Sequence, residues 1–203
     1  MTAPLAPSAG YLALFLVAYL LGSVSFSYLA VRLLRREDLR ALGSGNLGAL
    51  NAARRLGKAG FLLVFLGDAG KAYLAVEVGR RWLGTDLALM VAAGGALVGH
   101  AYSLFLGFSG GKGLASAVGI LLAWSPPALL AVALLALVFL AVTRDYHVAP
   151  ALAAVCFPAL AWLFWHSARW VIAGALLAAL IVWRHRRSLA SWAARLRPTP
   201  GSR

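Results

Sequence analysis

Two glycine-rich stretches hold the residues whose types and spacing could do chemistry. The first runs Gly43-Ser44-Gly45-Asn46-Leu47-Gly48-Ala49-Leu50-Asn51-Ala52-Ala53-Arg54-Arg55-Leu56-Gly57-Lys58, and the second Gly107-Phe108-Ser109-Gly110-Gly111-Lys112-Gly113. Glycine lets a backbone approach an anion closely, and exposed N–H groups at a helix start can hold one. Arg54 and Arg55 add positive charge to the first stretch and Lys112 to the second, so each could cradle a phosphate. Gly43, Gly45 and Gly48 spell G-x-G-x-x-G, but no strand precedes them, which argues against a dinucleotide fingerprint. Nor is the second stretch a P-loop. Its spacing before Gly-Lys is wrong, and Gly113 stands where a hydroxyl should hold magnesium. The competing role for this stretch is a tightly packed re-entrant turn.

Further polar residues lie inside apolar runs. Asp68 and Lys71 are three apart and share one helix face. Each costs several kcal/mol within a membrane unless paired or hydrated. They either neutralise one another or touch a ligand. His100 closes an apolar run beside the second glycine stretch, as a structural interfacial histidine or as a ligand contact. Gly95 and Gly99, four apart, suit close helix packing. Cys156, the only cysteine, lies in an apolar run and behaves as a small hydrophobe. There is no His-x-x-x-x-Asp pair and no cluster with metal-ligand spacing. No metal is expected on this ground. Catalysis by such a chain must depend on holding two anions side by side.

The elements that position these residues are membrane helices. Of 203 residues, 62% are hydrophobic and only 12% charged, with mean hydropathy +0.83, which excludes an ordinary soluble fold. The expected architecture is an all-α integral membrane protein of about seven transmembrane helices with glycine-rich re-entrant or cytoplasmic segments. It forms a single polytopic domain over residues 1–203. The apolar runs are Tyr11–Leu34, Phe61–Val78, Leu87–Leu106, Leu114–Trp124, Ala128–Val142, Val148–Trp165 and Val171–Trp183. The first is too long for a signal peptide and is read as a retained helix. The fourth and fifth are short, with Ser125-Pro126-Pro127 between them as a turn. Joining them would give six spans. Of the 19 Lys and Arg residues, only Arg80, Arg81 and Arg169 fall on one side, and Lys71 lies within a span. The remainder fall on the other side, which the positive-inside rule makes cytoplasmic. The N-terminus is then outside and the C-terminus inside. Trp82, Trp124, Trp165 and Trp170 belong to the outer aromatic belt. The basic tail 184–203, with Leu189, Trp192 and Leu196 at helical spacing, is expected along the cytoplasmic surface. The net charge of +13 is explained by orientation, membrane lipid and anionic ligands, without nucleic acid.

The segments Gly43–Lys58, Leu66-Gly67-Asp68-Ala69-Gly70-Lys71, Gly99-His100 through Ala115, and Arg184-His185-Arg186 resemble the motifs of the bacterial acyl-phosphate:glycerol-3-phosphate acyltransferases, the PlsY type. The resemblance runs in order from about Ser23 to Arg187. It implies seven helices, a cytoplasmic active site in the bacterial inner membrane, no metal and no soluble cofactor; a monomer is expected. It also implies two substrates, a long-chain acyl phosphate and glycerol 3-phosphate, with 1-acyl-glycerol 3-phosphate and phosphate as products. Carried over by position, it implies catalytic roles for Ser44, Arg54, Lys112 and His185. It implies substrate binding by Gly43, Gly45, Asn46, Asn51, His100, Gly110, Gly111, Gly113 and Ser188, with Asp68 and Lys71 structural or ligand-facing. Leu47 and Leu50 depart from the usual proline and threonine, Ser188 from asparagine, and His147 from an expected serine. These departures carry the alternative of a divergent paralogue that binds a phosphorylated lipid with changed substrate or no catalysis. A small transporter is the remaining alternative, but it would need more polar residues within the spans.

Overall fold

The computed structural model describes residues 7–196, and every regular element among them is helical. The α-helices are α1 (Pro7–Ser23), α2 (Phe26–Arg35), α3 (Ala49–Trp82), α4 (Asp86–Ala101), α5 (Leu114–Trp124), α6 (Pro126–Thr143), α7 (Ala149–Trp165) and α8 (Ala168–Arg195). Short 3-10 turns occur at Leu39–Ala41 and Leu104–Leu106. Four stretches are long and apolar enough to cross a membrane: Ser8–Arg35, which joins α1 and α2, together with α3, α6 and α8. The apolar helices α4, α5 and α7 are shorter.

The chain divides into two compact units, Met1–Leu129 and Leu130–Arg203. In the first, α1 and α4 run parallel. Tyr11 Oη and Thr85 Oγ1 meet at 3.0 Å near one end, and Tyr19 Oη donates to the Tyr102 carbonyl at 2.9 Å near the other. Between these ends Gly95 and Gly99 press on the backbone of Phe15 and Tyr19, the close packing their spacing predicts. α3 and α5 also run parallel. Ser116 Oγ donates to the Asp68 carbonyl at 3.3 Å, and Arg80, near the end of α3, donates to the Ala123 carbonyl near the end of α5.

The single helix expected over Tyr11–Leu34 is interrupted at Val24-Ser25. Ser25 adopts an extended conformation and its side chain caps α2 by accepting from Tyr28 N–H at 3.3 Å. The carbonyls freed by the break find side-chain donors: Lys71 Nζ on Val24 and Ser103 Oγ on Ser23, the latter at 2.6 Å. A break within a membrane is tolerated when its polar groups are satisfied in this way. A second break falls at Gly57, whose φ of 70° and ψ of −164° divide α3 into a short first part and a long second part. Ser125, with φ −164° and ψ 106°, separates α5 from α6, so the joined helix of the six-span alternative does not form.

In the second unit α7 and α8 form an antiparallel pair. Trp165 stacks on Trp170 with ring centroids 4.6 Å apart at the turn, and Gly174 makes room for Phe157. At the other end Arg195 pairs with Asp145 at 2.6 Å. Burial opposes ionisation of Asp145, but the N–H groups of His147 and Val148 and the Arg195 guanidinium outweigh it, so its carboxyl lies below the ordinary carboxylate range. α8 continues without interruption to Arg195, so the expected basic tail is helical as far as that residue. Residues 184–195 are its last turns, and the predicted basic residues Arg197 and Arg203 lie outside the described residues.

Candidate active site

Only Gly43 to Gly48 of the first glycine stretch is loop, because α3 starts at Ala49. Gly43 and Gly45 take positive φ, 56° and 68°. Asn51, buried on the first turn of α3, ties the loop together. Its Nδ2 donates to the Leu42 carbonyl at 3.0 Å, and its Oδ1 accepts Ser44 N–H at 3.3 Å. Both ends of the Asn51 amide are therefore committed to shaping the loop. Ser44 Oγ accepts Asn46 N–H at 3.4 Å. A methyl group built on Gly43 would collide with Asn51 Oδ1 and lie 3.2 Å from Arg54 Nη1, so the Arg54 guanidinium lies against the loop. The N-cap of α3 is Gly48, which has no side chain to occupy the helix start.

The neighbouring charges sort themselves. Arg40 pairs with Asp38 at 2.6 Å, and Arg55 approaches Glu37 at 3.5 Å. Arg54 makes no ion pair among the described residues and is exposed. This separates it from Arg40 and Arg55, a distinction the Arg54-Arg55 dipeptide does not reveal by itself.

The second glycine stretch folds back on the end of α4. Gly111 N–H donates to the His100 carbonyl at 3.0 Å, and Phe108 N–H to the Ser103 carbonyl at 2.8 Å. Gly110, Gly111 and Gly113 are buried, with Lys112 half-buried among them. Gly113, at φ 89°, is the N-cap of α5. A methyl group on Gly111 would strike the His100 ring at Nε2 and lie 2.7 Å from the Leu47 carbonyl. The two glycine stretches therefore meet, and Arg54 and Lys112 belong to the same end of the first unit. Sequence reasoning singled out Leu47 only as a departure from the usual proline. It contributes a backbone oxygen, for which side-chain identity gives no signal.

Beneath this junction lies a buried trio. Asp68 and Lys71 pair at 2.7 Å, and Asp68 Oδ1 lies 3.6 Å from His100 Nδ1. Lys71 also holds the Val24 carbonyl, so the pair neutralises itself and supports a broken helix. His185 is fully buried on α8 in the second unit, where its Nδ1 donates to the Ile181 carbonyl at 2.8 Å. Ser188 lies three residues further along that helix and is half-buried. The structure brings Gly43, Ser44, Gly45, Asn46, Asn51 and Arg54 together with His100 and the Gly110–Gly113 turn. His185 and Ser188 belong to the second unit.

A chain of apolar helices, with four stretches long enough to cross a bilayer, defines a membrane protein. The family model described as glycerol-3-phosphate acyltransferase matches residues 12–195. Proteins named glycerol-3-phosphate acyltransferase from Syntrophomonas wolfei and Pseudomonas paraeruginosa are similar. The first is 39% identical over 180 residues, covering 87% of this chain and 90% of that relative. The second is 43% identical over 176 residues, covering 86% and 91%. A crystal structure of PlsY (YgiH), an integral membrane glycerol 3-phosphate acyltransferase in its glycerol 3-phosphate form, matches with a TM-score of 0.83 at 30% identity, covering 95% of this chain and 96% of that one. Its lysophosphatidic acid form matches at 0.82 and 29%, with the same coverage. The chain belongs to the glycerol-3-phosphate acyltransferase family. It is an integral membrane protein and an acyltransferase.

Proposed function

We propose that the protein moves a fatty acyl group from an acyl phosphate to the sn-1 hydroxyl of glycerol 3-phosphate, yielding 1-acyl-glycerol 3-phosphate and phosphate for phospholipid synthesis. The observation that carries this reading is the meeting of Gly111 with the Leu47 carbonyl, which joins the Arg54 loop to the Lys112 turn. An acyl phosphate is an activated mixed anhydride. The glycerol hydroxyl oxygen bonds to the acyl carbon, the bond from that carbon to the phosphate oxygen breaks, and the electron pair leaves with phosphate. The departing phosphate accepts the hydroxyl proton, so no separate base is needed. The Lys112 ammonium stabilises the charge that develops on that phosphate. Arg54, Ser44 and Asn46 hold a phosphate through charged and neutral hydrogen bonds. Holding both anions in register supplies proximity. An open, largely apolar cleft of about 490 Å³, lined by Leu34, Arg35, Leu56, Ala59, Gly60 and Leu63, begins two residues beyond Arg54 and gives the acyl chain an apolar wall.

The proposed topology has seven spans, with α1 and α2 together as the first, the N-terminus outside and the C-terminus in the cytoplasm. The distribution of basic residues supports it. α5, at 11 residues, is about 16 Å long and needs the glycine turn before it to complete a crossing. Both glycine stretches come from one chain, which supports a monomer as the working unit. One assay tests the scheme: purified protein, or sealed vesicles of each orientation, given acyl phosphate and glycerol 3-phosphate. Transfer is expected when glycerol 3-phosphate reaches the cytoplasmic face. Lys112→Ala and Arg54→Ala should each lower kcat/KM by about 10²–10³-fold, and Arg55→Ala by only a few-fold. Full activity in Lys112→Ala would remove the basis of the scheme.

A further inference from the structure

Asp68, Lys71 and His100 are all buried, with relative exposures of 1%, 6% and 6%, and the scheme above gives none of them contact with the reacting atoms. Neutralising Lys71 explains why Asp68 is tolerated in a membrane helix, but it does not explain the third member. Asp68 Oδ1 faces two partners: Lys71 Nζ at 2.7 Å and the Nδ1 edge of His100 at 3.6 Å. The opposite edge of that imidazole, at Nε2, lies directly under Gly111, and the His100 carbonyl receives Gly111 N–H at 3.0 Å. Gly111 in turn rests on the Leu47 carbonyl. The ring is thus the spacer between a fixed carboxylate inside α3 and the point where the two anion-binding segments touch.

The geometry points to Asp68 as a positioning residue that acts through His100. Its carboxylate fixes the imidazole as the Nδ1–H form, turns the basic Nε2 edge toward the glycine turn, and so sets where Lys112 stands relative to the Arg54 loop. A carboxylate facing one ring nitrogen selects the tautomer that carries the proton there. An orientation fixed this way matters because displacing a transition-state contact by about 1 Å lowers rate by about 10²-fold. This role rests on the glycine turn being a phosphate site.

The test begins with the wild-type protein in detergent, without substrate. Its histidines are labelled with ¹⁵N, and His100 is assigned by the signal lost in His100→Gln. Long-range ¹H–¹⁵N correlations should show His100 as the Nδ1–H tautomer, and an Nε2–H tautomer there overturns the proposal. Asp68→Asn should then move His100 off that tautomer and lower kcat about tenfold or more, with KM changed less than about twofold. The double variant Asp68→Asn/Lys71→Gln removes both charges and separates the two roles of Asp68. If neutralisation of Lys71 were its only function, the double variant would recover full activity. Under the proposal its kcat stays low, so full recovery overturns it. The tautomer is measured apart from catalysis, and wild-type transfer activity tests the acyltransferase scheme independently, so either can fail without the other.

Discussion

The Gly43–Gly48 loop and the Gly107–Gly113 turn both pass through left-handed backbone and both present a cation, yet they are held in different ways. Gly43, Ser44 and Gly45 are exposed, and the loop keeps its shape through one side chain, the Asn51 amide that bridges Leu42 and Ser44. The second turn buries three of its glycines and is fastened by backbone groups to the end of α4. A polar clip of the first kind can be loosened by deleting one amide. A packed turn of the second kind can be broken by adding one methyl group, because interiors this close have no spare volume. The difference leaves Lys112 half-buried and Arg54 exposed.

Gly111→Ala should have the largest effect among changes that remove no charge. The new methyl would press on the His100 ring and lie 2.7 Å from the Leu47 carbonyl, so the two segments must move apart. Overpacking of this kind costs about 1–3 kcal/mol, and a shift of about 1 Å between the phosphate sites lowers kcat/KM by about 10²-fold. Thermal unfolding in detergent and the transfer assay would measure the two parts. A normal rate would show that the contact between the segments does not set their spacing. Asn51→Ala should be milder. It leaves Ser44 N–H and the Leu42 carbonyl without their partner, at a cost of about 1–3 kcal/mol, but this exposed loop can recruit water. The expected result is a rise of about tenfold in the KM of one substrate with kcat little changed, since the loop would bind without its preset shape. Unchanged KM for both substrates would mean that the Asn51 clip is irrelevant to binding.

These contrasts mark what the sequence could and could not disclose. The glycines, Arg54 and Lys112 could be singled out by residue type and clustering, and the structure brings their two stretches together. The i, i+3 spacing of Asp68 and Lys71 announced their pairing, and the Ser125-Pro126-Pro127 break announced the end of α5. The interruption at Val24-Ser25 was hidden within an apolar run, because the donor that satisfies it, Lys71, lies 47 positions away. The Arg54 and Arg55 roles were hidden for a related reason: Glu37, which engages Arg55, comes from the preceding connection. The Leu47 contact had no signal, since it is made through the carbonyl. The continuation of α8 through Arg195 was obscured by a change from apolar to basic composition, which looks like an element boundary although the helix runs on.

The smallest expected effect tests whether the polar character of the first region begins before the loop itself. Asp38 starts the turn at Leu39–Ala41: its Oδ1 accepts Arg40 N–H at 2.9 Å, and its carboxylate pairs with the Arg40 guanidinium at 2.6 Å. The hydrogen bonds from Arg40, side chain first and backbone second, hold the Asp38 pKa down to about 2, against an ordinary value of 3.8. Because the folded value is the lower one, the charged form favours the folded turn. Its contribution is complete above pH 3.8 and is lost as pH falls through about 2. The pair is exposed, so solvent screening keeps the effect local. Amide exchange at Arg40 and Ala41, corrected for its intrinsic pH dependence, should therefore accelerate between pH 4 and pH 2 in the wild-type protein. In Asp38→Asn, which keeps the capping oxygen but not the charge, this acid-dependent step should disappear. Amides of the Gly107–Gly113 turn should show no such step in either protein, since backbone carbonyls hold that turn. An acid-dependent step confined to the second turn would reverse the contrast between the two regions.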